Sequence, residues 1–475
     1  MTTRTGEAYL IMGLGVHGGG LGVARWLLRR GAQVTITDLA SPETLAKPLA
    51  ALRQAEKEFG ATITYVLGEH RVKDFTSHAV VVANPAVRPD SPWLQAARAA
   101  GARIETEMTL FFRHCASPIL GITGTKGKTT TALLTAAILR QRYPQTVVAG
   151  NLRVSALESL DQITSETPVV LELSSFQLMG LGNAGFSPQY ACITNFSPDH
   201  LNYHHTLEEY AQAKSQIFLH QAVDDVLVLD EAEQAFWLKH LDRQAKEALA
   251  LKKIKTFSVQ QKATADCQIT VKGEIRCCGL DLCTLNDLDQ NVLPGKHNLA
   301  NVLAAATLAR SFGLSPEQIR AGIIGFKGVE HRLETVLTHF GIRYINDSTA
   351  TNPVAAQAAL ASFSEPIVLI AGGASKGLAL EAFGKAIAQR VKALVLLAGS
   401  ATAELEEAVR RNATSAFPIL GPYSDFAVAL ENAQRVAAPG DLVLLSPGCA
   451  SFGMFQNEFH RGEEFRRIVK EQTQA

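Results

Sequence analysis

The sequence predicts an α/β chain of about three domains, and three observations lead there. The 475 residues exceed a single core, at roughly 150 residues per domain. Apolar runs of strand length alternate with helix-like segments, the βαβ rhythm of a parallel sheet. A glycine-rich turn stands between a strand and a helix at two separate places. With 47% hydrophobic and 19% charged residues, the chain can bury the cores this layout needs.

Ala8–Met12 reads as a strand, Gly18–Arg30 as a helix, and Gln33–Thr37 as a second strand ending at Asp38. Ala79–Ala83 is another strand, closed by the turn Asn84-Pro-Ala-Val-Arg-Pro89. These segments set a first domain at residues 1–103. A second, at 104–328, starts near Ile104, and its strands include Val169–Leu173, Ala191–Asn195 and Val226–Leu229. Inside it, residues 266–294 differ. Cys267–Val271 and Glu274–Cys277 flank Gly273 as in a small antiparallel meander, and a helix from Asn298 to Phe312 follows, stopped by Gly313. The third domain, 329–475, carries strands Arg343–Asn346, Ile367–Ala371, Ala393–Ala398 and Asp441–Leu445 with helices between.

The most informative segment is Pro118-Ile-Leu-Gly-Ile-Thr-Gly-Thr-Lys-Gly-Lys-Thr-Thr-Thr131. An apolar run ends in Gly121, Gly124 and Gly127, and a helical pattern begins at Lys128. Glycines let backbone N–H groups close around phosphate oxygens, and the helix start adds partial positive charge. Lys128 is placed for the β- and γ-phosphates and the Thr129 hydroxyl for Mg²⁺. Ile122 stands where the strict G-x-x-x-x-G-K-[ST] pattern has its first glycine, so the motif is G-x-x-G-x-x-G-K-T-T. The reading is a nucleoside-triphosphate site; the competing one is an ordinary glycine turn.

Gly13-Leu-Gly15-Val-His-Gly18 satisfies G-x-G-x-x-G, and Asp38 ends the next strand twenty residues after Gly18. That is the dinucleotide fingerprint, with Asp38 placed for a ribose hydroxyl. A uridine-diphosphate site needs the same glycines, since it also seats a pyrophosphate on a helix start. The motif shows a diphosphate-binding architecture and leaves the base open.

Val169-Val-Leu-Glu172 is a buried strand delivering a carboxylate to its C-terminal end, where ligands sit in open α/β sheets. Glu172 is therefore a candidate Mg²⁺ ligand. Asp199 and His200 follow the next strand and reach the same edge, with a metal or substrate role open to His200. Lys214 lies on the helical stretch Leu207–Phe218, and its spacing alone reads as a surface lysine.

Forty-five basic residues balance forty-five acidic ones, and no lysine/arginine run marks a nucleic-acid or membrane surface. No apolar stretch reaches the ~20 residues of a membrane span. Nothing before Ala8 resembles a signal peptide. The seven cysteines are scattered without C-x-x-C, and adjacent Cys277 and Cys278 suit neither a metal site nor a disulfide framework. The expected compartment is the reducing cytoplasm.

Taken together, the motifs resemble the Mur ligases, the ATP-dependent amino-acid-adding enzymes of peptidoglycan synthesis. The resemblance spans nearly the whole chain. It rests on Gly124-Thr-Lys-Gly-Lys-Thr-Thr-Thr131, Glu172-Leu-Ser-Ser-Phe-Gln-Leu178, Asn195-Phe-Ser-Pro-Asp-His200, Gly295-Lys-His-Asn-Leu-Ala-Asn301, His331-Arg332, Asn346-Asp-Ser-Thr-Ala-Thr-Asn352 and Ser446-Pro-Gly-Cys-Ala-Ser-Phe452. The second and last of these favour the glutamate-adding branch.

The resemblance implies a Rossmann-like UDP-binding domain, a central P-loop ATPase-like α/β domain, and a C-terminal Rossmann-like domain that binds glutamate. Gly13, Leu14, Gly15, Val16 and Asp38 would hold the UDP of UDP-N-acetylmuramoyl-L-alanine, with Asn151 and His200 reaching it from the central domain. ATP would lie on Gly124, Thr125, Lys126, Gly127, Lys128, Thr129 and Thr130, with Asn298 and Asn301 near the adenine. Arg332 and Asp347 would approach its phosphates and ribose. Thr129, Glu172 and His200 would ligate Mg²⁺, and Lys214 matches a lysine that becomes an N-carbamate ligand in this family. Lys128, His200 and Lys214 would be the catalytic set, and Thr351, Lys376 and Ser451 would receive glutamate. A monomer acting on small molecules is implied, with no nucleic-acid or membrane partner.

Several positions depart from the family pattern. Thr349 replaces a lysine, Gly453 and Asn202 replace aspartates, and Glu458-Phe459 inverts an aromatic-acid order. Other readings compete. L-Glutamate is the alternative to the D enantiomer. A nicotinamide-dependent dehydrogenase explains Gly13–Gly18 but leaves the phosphate loop idle. A GTPase-type switch needs an Asn-Lys-x-Asp guanine reader, which the chain lacks. A folylpolyglutamate synthetase lacks the UDP-type first domain.

Overall fold

The computed structural model describes residues 7–15, 18–152, 155–261, 264–288, 292–293, 295–414 and 416–474. The chain forms two compact units, residues 1–285 with 300–325, and 286–299 with 326–475. Three sheets organise them, two in the first unit and one in the second.

The first sheet holds β1 (Ala8–Met12), β2 (Gln33–Asp38), β3 (Ile63–Leu67), β4 (Val80–Ala83) and β5 (Arg103–Glu105), ordered β3-β2-β1-β4-β5 and parallel throughout. The chain runs outward from β1 to β3 and then returns to β4 on the other side of β1. Such a reversal opens a crevice at the C-terminal ends of β1 and β4. The Gly13–Gly18 turn leaves β1 at that crevice and Asn84 leaves β4 there, with the Asn84 N–H donating to Met12 O at 2.9 Å.

The central sheet holds β6 (Ile119–Thr123), β7 (Val147–Gly150), β8 (Val169–Glu172), β9 (Tyr190–Ile193), β10 (Val226–Asp230), β11 (Lys253–Ser258), β12 (Cys267–Ile269), β13 (Glu274–Cys277) and β14 (Leu280–Thr284). Their order is β14-β13-β12-β11-β10-β9-β6-β8-β7. β6 sits between β8 and β9, so the phosphate loop emerges between the ends of those two strands. The expected meander is real but is not a separate layer. It extends the central sheet, with β12 parallel to β11 and β13 antiparallel to β12 and β14. Its first strand stops at Ile269 because Thr270 and Gly273 close a turn (N–H to O, 2.9 Å), which leaves Val271 exposed.

The expectation of no disulfide is corrected by the same hairpin. Cys267 and Cys277 face each other directly in the β12–β13 register, with Cα atoms 4.0 Å apart, and their sulfurs are bonded. The pairing came from fold register, which the spacing of the cysteines did not disclose.

In the second unit β15 (Glu334–His339), β16 (Ile342–Asn346), β17 (Ile367–Gly372), β18 (Val391–Leu397), β19 (Ile419–Tyr423) and β20 (Leu442–Leu445) are ordered β15-β16-β20-β17-β18-β19. Only β15 is antiparallel to its neighbour. β17 and β20 are buried along their whole length, as a strand covered by helices on both faces must be. Ile345, Leu369 and Leu444 pack into one core, and Tyr344, Val368 and Val443 into the other.

Candidate active site

The phosphate loop follows β6 and ends where the helix Lys128–Leu139 begins. Gly124 and Gly127 take φ values of 148° and 81°, and side chains there would overlap the Thr194 hydroxyl and the Asn301 amide. Only glycine allows both the backbone turn and the approach of β9 and the later helix. The loop is then pinned from the β9 end. Asn195 accepts from the N–H groups of Thr125 (3.0 Å, backbone) and Lys126 (2.9 Å, Oδ1), and the Thr194 hydroxyl donates to Lys126 O at 2.6 Å. Thr194 and Asn195 are loop-shaping residues to which the sequence reading gave no role, although Asn195 opens one of the motifs; their position at the end of a strand beside β6 was the available signal.

Lys128 Nζ donates to Gly124 O and Thr125 O, both at 3.0 Å, so its ammonium is folded over the loop. Lys126 Nζ meets Asp199 at 3.1 Å. Thr130 is buried in the first turn of the helix.

Glu172, at the end of β8, is 2% exposed. Its Oε2 accepts from the Thr129 hydroxyl at 2.7 Å and its Oε1 from the Asn151 amide at 2.9 Å. A buried carboxylate usually has a cation hydrogen-bonded to it; this one has two neutral donors. A hydroxyl and a carboxylate converging beside a phosphate loop are hard oxygen ligands, the donor set that suits Mg²⁺. Asn151 therefore joins Glu172, and among the described residues it makes no hydrogen bond to the Gly13–Asp38 set.

Lys214 is not a surface lysine. The helix Leu207–Leu219 buries it to 1% exposure, with Nζ donating to Gly124 O at 2.8 Å and Thr123 Oγ1 at 3.3 Å and lying 4.6 Å from the centre of the Tyr210 ring. Burial, and then Lys128, hold its pKa well below the ordinary lysine value. The Tyr210 platform, four residues earlier on the same helix face, was also missed by the sequence reading.

His200 takes a positive φ of 53° and stays on the surface, its N–H donating to Asp199 Oδ1 at 3.0 Å. Desolvation lowers its imidazole pKa, Asp199 opposes, and Lys128, Lys214 and Lys126 lower it further. The ring lies 5.3 Å from Phe176, in the charged neighbourhood of the phosphate loop.

At the first sheet, Gly13, Gly15 and Gly18 all have positive φ, and Gly18 caps the helix Gly19–Arg29. Asp38 Oδ2 accepts from Gly15 N–H at 3.1 Å, and Oδ1 from Ala40 N–H at 2.8 Å. The Leu14 side chain is fully buried in the core, so only its backbone is offered to a ligand. Val16 lies outside the described residues. A cleft of about 580 Å³ runs from Asn84, Pro85 and Val87 to Phe176, Met179 and Tyr203 of the central domain.

In the second unit, β16, β20 and β17 are neighbours, so the segments bearing Thr351, Ser451 and Lys376 leave the same sheet edge. Lys376 Nζ donates to Thr351 Oγ1 at 2.8 Å, and reciprocal backbone bonds join Ala374 to Ala450, next to the buried Ser451. Asp347 accepts from Ser446 Oγ at 2.8 Å and Leu333 N–H at 3.2 Å, and burial pushes its pKa up to about 7. Arg332 is exposed but within electrostatic reach of Asp347. Asn298 is buried on the helix Lys296–Ser311; Asn301, on the part of that helix that belongs to the first unit, is buried and accepts from Thr131 Oγ1 of the same unit at 3.3 Å. Arg461, fully buried, is a further omission of the sequence reading. Its guanidinium donates to Ser348 Oγ and O at 3.0 and 2.8 Å and to Cys449 O, tying together the loops that carry Thr351 and Ser451.

A strand, a lysine-bearing glycine loop and a buried carboxylate beside it are the parts of a nucleoside-triphosphate site. Comparison with known proteins agrees along the chain. Residues 7–106 match the Mur ligase MurD-like N-terminal domain, 122–309 the Mur ligase middle domain, and 331–449 the Mur ligase glutamate ligase domain. A UDP-N-acetylmuramoylalanine--D-glutamate ligase from Roseiflexus sp. is 51% identical over 98% of this chain and 99% of its own length. Its counterpart in Symbiobacterium thermophilum is 37% identical, covering 98% of each. Among solved structures, the UDP-N-acetylmuramate-alanine ligase MurC of Thermotoga maritima superposes with a TM-score of 0.59 at 21% identity, covering 98% of this chain and 99% of that one. The chain belongs to the Mur ligase family of ATP-dependent ligases.

Proposed function

We propose that this chain joins D-glutamate to UDP-N-acetylmuramoyl-L-alanine at the expense of ATP, in the cytoplasmic synthesis of peptidoglycan precursors. The observation that carries the reading is the convergence of Lys128, the Thr129–Glu172 pair and buried Lys214 on one glycine loop. The substrate choice is supported by the 51% identity to the Roseiflexus D-glutamate ligase. The proposed domains are 1–103 for the UDP substrate, 104–328 for ATP and 329–475 for glutamate, in a monomer.

The chemistry follows from what each reactant lacks. The substrate carboxylate is a poor electrophile, and transfer of the γ-phosphoryl group from ATP gives it a phosphate leaving group. The glutamate amine attacks that acyl phosphate, and the tetrahedral intermediate expels phosphate to leave an amide. Gly124, Thr125, Lys126, Gly127 and Thr130 shape the phosphate cradle. Lys128 stabilises charge on the transferring group, while the protein mainly positions the reactants. Thr129, Glu172 and His200 would hold Mg²⁺, which supplies Lewis-acid stabilisation of phosphoryl charge. Lys214 has the chemistry of a carbamate precursor. Its amine is driven toward the neutral, nucleophilic form, and addition to CO₂ would convert it to an anionic oxygen ligand.

Gly13, Gly15 and Asp38 would hold the UDP group, with Leu14 contributing backbone and Asn151 and His200 the reacting end. The family resemblance assigns Asn298, Asn301, Arg332 and Asp347 to the nucleotide, and Thr351, Lys376 and Ser451 to glutamate. Lys376 offers a cation for one glutamate carboxylate. Phosphate release from ATP, measured with each UDP-muramoyl precursor and each amino acid, tests the assignment. Release that needs alanine or diaminopimelate in place of glutamate would contradict it.

A further inference from the structure

Glu107 has no role in the reading above. It opens the helix Glu107–His114, which leads from β5 into the central domain. Its two carboxylate oxygens face different parts of the molecule. Oε1 accepts from the Ser155 hydroxyl at 2.6 Å and the Ala156 N–H at 3.1 Å, and so anchors the segment that follows Asn151. That segment is pressed onto the glycine helix, because Ser155 fills the space a side chain at Gly22 would need. Oε2 lies instead at the start of the same helix, 3.4 Å from where a Cβ on Gly19 would sit. It accepts no hydrogen bond among the described residues. With Gly13, Gly19, Gly20 and Asn84, Glu107 lines a hollow of about 20 Å³ at that helix start.

Among the described residues, no cation pairs with this carboxylate. The charged group nearest to it in effect is another acid, Glu158 on the 3₁₀ turn Ala156–Gln162. Arg25, on the glycine helix, is engaged by Glu158 at 3.2 Å and Glu58 at 3.5 Å. Desolvation pushes the Glu107 carboxyl up to about 7, with Ser155 and Ala156 opposing and Glu158 adding to the rise.

We propose that Glu107 is a charge-sensing positioning residue for the nucleotide substrate: Oε1 fixes Ser155 and Ala156 against the glycine helix, and Oε2 faces the diphosphate seat, so the diphosphate binds together with a proton that Glu107 takes from solvent. The proposal rests on the nucleotide reading of Gly13–Asp38. A helix start attracts either anion, but two anions side by side at the same helix start repel. A protonated carboxyl removes the repulsion and becomes an O–H donor to a phosphate oxygen. The diphosphate of a UDP-sugar is a diester with no proton to exchange near neutrality. Burial holds the imidazoles of His70 and His200, close to the expected substrate path, below the ordinary histidine value.

The test is calorimetric titration of the whole enzyme with UDP-N-acetylmuramoyl-L-alanine, in paired buffers of different ionisation heat. At pH 8 binding takes up close to ~1 proton, and above pH 7 the dissociation constant rises by up to about tenfold per pH unit. Glu107→Gln keeps the shape, removes the charge, abolishes the uptake and flattens the pH profile. Wild-type binding at pH 8 without proton uptake overturns the proposal, as does a Glu107→Gln profile parallel to the wild type. Failure of the wild type to bind at pH 6 overturns the nucleotide reading itself, and the proposal with it.

Discussion

The loop after β1 and the loop after β6 are built from the same parts: an apolar strand, a set of glycines with positive φ, and a helix that starts at the last of them. Around the first loop the polar contacts among the described residues are few. Asp38 accepts from Gly15 N–H, and Glu107 holds Ser155 and Ala156 with Oε1 while its Oε2 lies near the helix start. Around the second, Lys128 and Lys214 both donate to Gly124 O, Thr129 meets Glu172, and Lys126 meets Asp199. On the proposed function, the same backbone device seats a diphosphate in one place and moves a phosphoryl group in the other. What separates them is side-chain charge: transfer needs cations and hard oxygen ligands where negative charge develops, whereas seating needs only N–H groups and a helix start.

Removing the cation from the second loop should produce the largest effect. Lys128→Ala should lower ATP turnover by about 10²–10³-fold, the size expected when one preorganised group is taken from a developing charge, while circular dichroism shows the fold retained. Wild-type phosphate release in that variant would erase the distinction between the two loops.

Lys214 should be nearly as sensitive. Lys214→Ala and Lys214→Arg should both lose most activity, because arginine keeps a cation where an anionic carbamate is expected. The pH dependence has a definite sign. Burial and Lys128 depress the amine's pKa, so it is uncharged and able to take up CO₂ above that depressed value. Activity should fall as pH drops through it, and bicarbonate should restore part of the loss in CO₂-depleted buffer. Normal rates in Lys214→Arg would remove the carbamate role.

Much of this was readable beforehand. Both glycine loops, Glu172 at a strand end and the central strands of the three sheets follow from periodicity and from the chemistry glycine permits, whereas β3, β5, β7, β11, β14, β15 and β19 were not read as strands. Lys214 was not readable from spacing. Helix position says nothing of burial, and only the resemblance to a family marked it before packing showed it at 1% exposure. Arg461 escaped for the same reason, since its partners Ser348 and Cys449 lie on loops remote in sequence. The Cys267–Cys277 bond needed the β12–β13 register.

Changes at the first loop should act on substrate binding and spare ATP. Gly22→Ala places a methyl group on Ser155, and overpacking of this kind costs about 1–3 kcal/mol. Its Tm should fall and its KM for the UDP substrate should rise, with KM for ATP unchanged. A larger change for ATP would mean that the two loops are not separable. Asp38→Asn should be milder, at about 1 kcal/mol of lost substrate affinity, read as a severalfold higher KM. An unchanged KM would remove Asp38 from the site.

The central claim is that the phosphoryl group moved at the second loop activates a substrate held at the first, for attack by glutamate. It is tested most directly by measuring phosphate release from ATP with UDP-N-acetylmuramoyl-L-alanine and either glutamate enantiomer, each component being omitted in turn. The account predicts release only when all three substrates are present, with kcat/KM higher for D- than for L-glutamate. Faster use of L-glutamate would overturn the stereochemistry alone, and phosphate release indifferent to the UDP substrate would contradict the claim itself.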